Sequence, residues 1–252
     1  MIGLRGKRAL ITGGSRGIGA ATARLFAENG VNVAIGYRAR RADAEELVAS
    51  LRSEHGITAT AHASDISTQK GAEELVQSSA DSLGGLDFFV ANAGIWPVTD
   101  VALDSMSDEQ WRRTMAENVD SVFFTTRAAI RSMTDHGRIV LVSSTAGQRG
   151  EAYHADYGAS KGAVISLVKS LAPELAKRDI TVNSVAPGWV DTEMCDEPFA
   201  GGGRERIAAG IPLGRIAAPR DIAGPIVFLC SDLARHITGE IVNVNGGSVL
   251  CG

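Results

Sequence analysis

Little in this 252-residue chain suits a membrane, a nucleic-acid duplex, a disulfide framework or a metal site. No apolar run approaches the roughly 18 to 20 residues that a transmembrane helix needs, and the longest, Ile222 to Cys230, is interrupted by Gly224 and Pro225. The basic start from Met1 to Arg8 is followed only by Ala9-Leu10-Ile11, too short for the core of a secretory signal, so a cytoplasmic protein is expected. Positive charge is not in excess. Lys and Arg number 25 against 29 Asp and Glu, for a formal net charge of -4, which argues against the basic face of a duplex binder. Cys195, Cys230 and Cys251 are odd in number and widely spaced, as buried or incidental thiols would be. The five histidines, His55, His62, His136, His154 and His236, show no ligand spacing, and no metal is expected. With 44% hydrophobic residues the chain has ample material for a packed core, which excludes disorder.

Glycine is in excess: 29 residues, more than a tenth of the chain, against an average near 7%. It follows no repeat, so the extra glycines must serve particular turns. Near-continuous apolar, β-branched runs at Arg8-Thr12, Asn32-Tyr37, Thr58-Ala63, Phe88-Ala91, Arg138-Ser143, Thr181-Ala186 and Ile241-Asn245 read as strands buried on both faces. Helical patterns lie between them at Gly17-Asn29, Ala42-Glu54, Thr68-Leu83 with Ser67 as its cap, Trp111-Asp135, Asp156-Arg178 and Pro219-Leu233. This alternation predicts an α/β fold, with right-handed crossovers and a parallel sheet covered on both sides. The pattern fails only over Glu193-Gly210, around Gly201-Gly202-Gly203, which reads as a mobile substrate lid over about 193–211.

Directly after the first strand comes Thr12-Gly13-Gly14-Ser15-Arg16-Gly17-Ile18-Gly19, leading into a helix. Glycines there permit a tight turn and close approach of backbone to a pyrophosphate, whose charge meets the helix N-terminus. The spacing is Gly-x-x-x-Gly-x-Gly rather than the common Gly-x-Gly-x-x-Gly. NAD sites usually place an acid about 20 residues further on, to bind the ribose hydroxyls. No acid occurs between Val31 and Ala42; Arg38, Arg40 and Arg41 stand there instead, with Arg16 inside the glycine turn. Guanidinium groups pair with a 2'-phosphate that a carboxylate would repel, so NADP(H) is preferred over NAD(H). Arg38 and Arg16 are the expected contacts, and Arg40 and Arg41 are expected to face solvent. Asp65 follows the third strand and Asn92-Ala93-Gly94 the fourth; each could contact the cofactor or simply form a turn.

Tyr157 and Lys161 stand four apart in a helical pattern and so share a face, and Ser144 ends the fifth strand. All three fall on the carboxyl edge of the sheet, the edge that holds the glycine turn. When hydride reaches a ketone carbon, charge grows on oxygen, which needs a proton donor and a second hydrogen bond. A lysine cation about 4 Å from a tyrosine oxygen favours the phenolate by roughly 4 kcal/mol at an effective dielectric near 20, lowering the tyrosine's pKa. Tyr157 then serves as general acid and base, Lys161 tunes it, and Ser144 orients the carbonyl.

The ordered set Thr12-Gly13-x-x-x-Gly17-x-Gly19, Asn92-Ala93-Gly94, Asn118, Ser144, Tyr157-x-x-x-Lys161 and Pro187-Gly188 resembles the short-chain dehydrogenase/reductase family over nearly the whole chain. The resemblance implies a Rossmann-type, doubly wound, seven-stranded parallel sheet in a single domain over 1–252. It also implies a catalytic role for Asn118, whose backbone carbonyl holds a water in the proton relay to Lys161. Asp65 is then assigned to adenine, and Pro187, Gly188, Val190 and Thr192 to the nicotinamide side. With the turn residues, the implied cofactor set is Gly13, Ser15, Arg16, Gly17, Ile18, Gly19, Tyr37, Arg38, Asp65, Ile66, Asn92, Ala93, Gly94, Tyr157, Lys161, Pro187, Gly188, Val190 and Thr192. Trp96, Gln148, His154, Trp189 and Met194 are expected to shape the substrate pocket.

Within the family, Ser144-Thr145-Ala146-Gly147 and Ala186 to Met194 look most like 3-oxoacyl-[acyl-carrier-protein] reductases, and the segment Gly239 to Gly247 like the last strand that helps build a homotetramer. Pro173 stands where carrier-protein reductases often have a docking arginine; it removes that charge and should kink the helix, leaving Arg127 and Arg131 as candidate docking groups. A carrier-protein thioester, a free ketone, a sugar and a steroid-like alcohol all stay open as substrates. A silent dinucleotide sensor is a competing reading, disfavoured because Ser144, Tyr157 and Lys161 are all present. A methyltransferase is another, disfavoured by the missing acid after the second strand.

Overall fold

The computed structural model describes residues 2–250, so Cys251 lies outside the described residues. In chain order the elements begin with β1 (Arg8–Thr12), α1 (Gly17–Glu28), β2 (Asn32–Tyr37), α2 (Arg41–His55), β3 (Ala59–Ala63), α3 (Gln69–Leu83) and β4 (Leu86–Ala91). There follow α4 (Asp108–Met115), a π-helical turn (Ala116–Asp120), α5 (Ser121–Ser132), β5 (Met133–Val142), α6 (Thr145–Arg149), α7 (Ala155–Leu175) and β6 (Thr181–Pro187). The chain closes with α8 (Asp196–Phe199), α9 (Gly203–Ala209), α10 (Pro219–Cys230) and β7 (Ile241–Val244).

All seven strands run parallel, in the order β3-β2-β1-β4-β5-β6-β7. The winding direction reverses between β1 and β4, which opens a crevice at their carboxyl ends. On one face α1, α2 and α10 bury Phe26, Leu51 and Val227 against the sheet; on the other α3, α5 and α7 bury Leu75, Val122 and Val168. Two covered faces explain why a strand such as β4 is apolar and buried at nearly every position.

Three local expectations are corrected. The hydroxyl that caps α3 is Thr68, which accepts from the Gly71 amide at 3.1 Å, while Ser67 bonds to Asp65. The single helix expected over Trp111-Asp135 starts earlier, where Ser107 Oγ accepts from Gln110 N at 3.1 Å, and widens into the π-helical turn. It stops at Ser132 because Met133 already pairs with Leu86 as the first residue of β5. The patternless stretch Glu193-Gly210 holds a 3-10 turn (Glu193–Cys195), α8 and α9, pieces too short to show a helical period. α7 runs through Pro173 as one element and ends two residues later. Among the described residues no helix is long and apolar enough to cross a membrane, and no His, Cys, Asp and Glu cluster could hold a metal.

Candidate active site

A cavity of about 810 Å³ opens along the carboxyl ends of the strands, from the glycine turn after β1 to the start of α7. That is ample for a dinucleotide with a small second molecule. Of the expected cofactor set every residue lines it except Gly19. Gly19 instead packs inside the turn, where a Cβ would strike the Gly13 carbonyl oxygen. Gly13 and Gly17 have φ of +63° and +53°, left-handed values that favour glycine and turn the chain into α1. Asn92 clasps this turn to β4: its Nδ2 donates to Thr12 O and Gly13 O, each at 3.1 Å, and Thr12 Oγ1 accepts from the Asn92 and Ala93 amides at 3.0 and 3.1 Å. Asp65 also lines the cavity, but its Oδ1 accepts from Ser67 N and Oγ at 3.1 and 2.7 Å and so shapes the turn into α3.

The arginines gather at this end, each met by a glutamate. Arg38 pairs with Glu117, and Arg16 with Glu193. Arg40, expected to face solvent, lines the cavity and reaches the same Glu193 at 2.7 Å, with Asp43 at 3.7 Å; Arg41 does lie outside, on Glu45. Neither glutamate was anticipated, since Glu117 is 79 residues from Arg38 and Glu193 is 177 from Arg16. Three guanidinium groups beside a left-handed glycine cradle are a donor set that fits a phosphorylated dinucleotide.

At the other end Ser144 caps α6, its Oγ accepting from Ala146 N at 3.1 Å, and its hydroxyl hydrogen-bonds the Tyr157 phenol. Lys161 is buried and donates to Val142 O at 3.1 Å, with its ammonium 5.8 Å from the centre of the Tyr157 ring. The electrostatics differ from expectation. Burial pushes the Tyr157 phenol up from its ordinary value, outweighing the Ser144 hydrogen bond, and lowers Lys161 to about 8. The bond to Val142 O uses one of the three N–H donors of Lys161, and burial is the largest influence on the phenol.

Asn118 is fully buried in the π-helical turn. Its Nδ2 donates to Ile95 O at 2.9 Å and Ser160 Oγ at 3.1 Å, and its Oδ1 accepts from Ile95 N at 2.7 Å. With the amide so engaged, the side chain ties the end of β4 to α7, leaving the main-chain carbonyl for any relay. Gly94 fits between: a Cβ there would lie 3.0 Å from Asn118 Oδ1 and 3.3 Å from Lys161 Nζ.

The expected substrate pocket is brought together in part. Trp96, Trp189 and Met194 line the cavity; Gln148 and His154 do not. Gln148 Nε2 donates to Asn243 at 2.6 Å, which turns it toward β7. His154 is buried behind Trp96, with ring centres 4.8 Å apart in a stack. Glu151 and Cys195 line the cavity and were missed, because loop residues carry no periodicity that tells inward from outward.

The family model described as Enoyl-(Acyl carrier protein) reductase matches residues 13–248. The 3-oxoacyl-[acyl-carrier-protein] reductase FabG of Vibrio cholerae is 40% identical over 250 residues, covering 97% of this chain and 98% of its own. Among solved structures, a short-chain dehydrogenase/reductase from Serratia marcescens superposes with a TM-score of 0.91 at 35% identity, covering 97% of this chain and 98% of its own. A short chain dehydrogenase from Burkholderia cenocepacia in complex with NADP gives the same TM-score, identity and coverage. With the ordered motifs and the parallel sheet, these matches place the chain in the short-chain dehydrogenase/reductase family.

Proposed function

We propose that this protein reduces a ketone to a secondary alcohol, with NADPH preferred over NADH. The observation that carries the reading is the meeting of Ser144, Tyr157 and Lys161 at one end of a cavity whose other end is ringed by Arg16, Arg38 and Arg40. Gly13, Ser15, Gly17 and Ile18 would hold the pyrophosphate at the start of α1. The three arginines would take the 2'-phosphate, and Pro187, Gly188, Val190 and Thr192 the nicotinamide end. When bound, the reduced dinucleotide supplies the hydride. NADP in the Burkholderia relative supports the choice of cofactor.

Ser144 donates a hydrogen bond to the ketone oxygen and orients it toward Tyr157. The phenol gives its proton to that oxygen as negative charge develops, so the substrate gains hydride at carbon and a proton at oxygen. A phenol pushed up by burial holds its proton throughout the neutral range, so Tyr157 enters the reduction in the protonated form that the step requires. Lys161, still mainly cationic at neutral pH, reprotonates the phenolate, with the Asn118 carbonyl aligning a water behind it.

For the substrate, the carrier-protein reductase among the relatives supports a 3-oxoacyl thioester. Against carrier-protein docking stand Pro173 and the state of Arg127, which folds over Phe123 and Phe124 and pairs with Glu73 at 3.8 Å. A free ketone, or the alcohol of a sugar or steroid, is the second reading. We place the lid over 193–211, where Gly201 and Gly202 provide left-handed turns between α8 and α9. The exposed Trp111 and Phe123 support a homotetramer. NADPH oxidation across ketones and β-ketoacyl thioesters, on coenzyme A and on carrier protein, tests the reading. Turnover with at least one carbonyl class is expected, and NADPH binding without turnover of any would replace the enzyme with a sensor.

A further inference from the structure

Two carboxylates that the reduction does not use line the reacting end of the cavity, Asp191, which pairs with Arg204, and Glu151. Glu151, on the loop between α6 and α7, lines the cavity beside Ser144 and Tyr157 and is only partly exposed. The Trp96 indole N–H is a hydrogen-bond donor to its carboxylate. Among the described residues it has no ion-pair partner within 4 Å; His154, Arg149 and Asp100 are its nearest charged or titratable neighbours besides Tyr157. A carboxylate offers about four acceptor positions, and one donor leaves most of them unfilled.

The walls around it are aromatic. Trp96 is held by its stack on His154 and meets Trp189 edge-on at 6.0 Å, and Trp189 meets Phe199 at 5.8 Å. Burial pushes Glu151 above the usual carboxylate range, and its charge helps push Tyr157 up. An acyl chain packed here would strip water from a partly exposed carboxylate and lay methylene groups against it, which is unfavourable. A hydroxyl or ammonium would fill the free acceptor positions and relieve the repulsion on the phenolate, and an ammonium would also face aromatic rings.

We propose that Glu151 is the specificity-determining residue of this site, and that it selects carbonyl substrates bearing a hydrogen-bond donor, hydroxyl or ammonium, near the reacting ketone. The inference rests on the reductase reading above. Its test is the ratio of kcat/KM for matched ketones of one carbon skeleton, plain, hydroxylated and aminated, measured by NADPH oxidation in wild type, Glu151→Leu and Glu151→Gln.

In the wild type a donor-bearing ketone should be favoured by roughly tenfold or more. In Glu151→Leu that ratio should collapse or invert, with the plain ketone reduced faster than before. In Glu151→Gln, loss confined to the aminated ketone assigns the ammonium, and retention for the hydroxylated one assigns the hydroxyl. Because each ratio is internal to one variant, a loss of folded protein cancels. A ratio within twofold of wild type in Glu151→Leu overturns the proposal while leaving the reductase intact; absence of NADPH oxidation with every carbonyl removes the reductase reading itself.

Discussion

Arg38 and Glu117 form an ion pair that joins the end of β2 to the π-helical turn carrying Asn118. The guanidinium proposed to take the 2'-phosphate is thus already occupied, and Glu193 occupies Arg16 and Arg40 in the same way. On the proposed reading, nicotinamide cofactor selection would be a competition between phosphate and two carboxylates.

Arg38→Asp should raise KM for NADPH about tenfold while changing that for NADH little. The estimate takes the low end for a charge-assisted hydrogen bond, because the side chain is half exposed. Glu117→Gln and Glu193→Gln should act in the opposite direction, each tightening NADPH binding a few-fold. Binding titrations with both dinucleotides check this, and equal NADPH affinity in all three variants would refute the assignment.

Gly94→Ala places a methyl against Asn118 Oδ1 and Lys161 Nζ. Overpacking of this kind costs about 1–3 kcal/mol, and here it falls on the two residues of the proposed relay. Thermal melts and steady-state rates should therefore show a Tm lowered by several degrees and a kcat reduced more than KM is raised. Wild-type values for both would mean that the space is larger than described.

Lys161, lowered to about 8 by burial, loses its positive charge as pH rises through that value. The reduction rate should hold below pH 8 and fall above it, while Tyr157, whose pKa is pushed up, adds no second fall in that range. In Lys161→Arg the guanidinium keeps its charge to far higher pH, so whatever activity remains should lose the fall near 8. A fall that persists in this variant would belong to another group.

The sheet was legible in the sequence because β1 and β2 are apolar runs bounded by turns, and their predicted limits coincide with the observed ones. The meeting of Ser144, Tyr157 and Lys161 at one end of the cavity was legible because strand end and helix start already fix their edge of the sheet. The π-helical turn was not, since one extra residue in five leaves the apolar pattern of α4 and α5 nearly unbroken. Nor were Glu117 and Glu193, whose partners are remote in sequence and whose own neighbourhoods carry no motif. Gln148 and His154 point away from the cavity for reasons of side-chain packing, on Asn243 and Trp96, that no spacing rule contains.

The central claim is that the Tyr157 hydroxyl delivers the proton during ketone reduction. Its most direct test is Tyr157→Phe, with NADPH binding followed by fluorescence and turnover by NADPH oxidation on the same preparation. The account predicts near-wild-type binding with turnover reduced by about 100-fold or more, the range of general acid catalysis. Turnover at the wild-type rate with binding intact would contradict it.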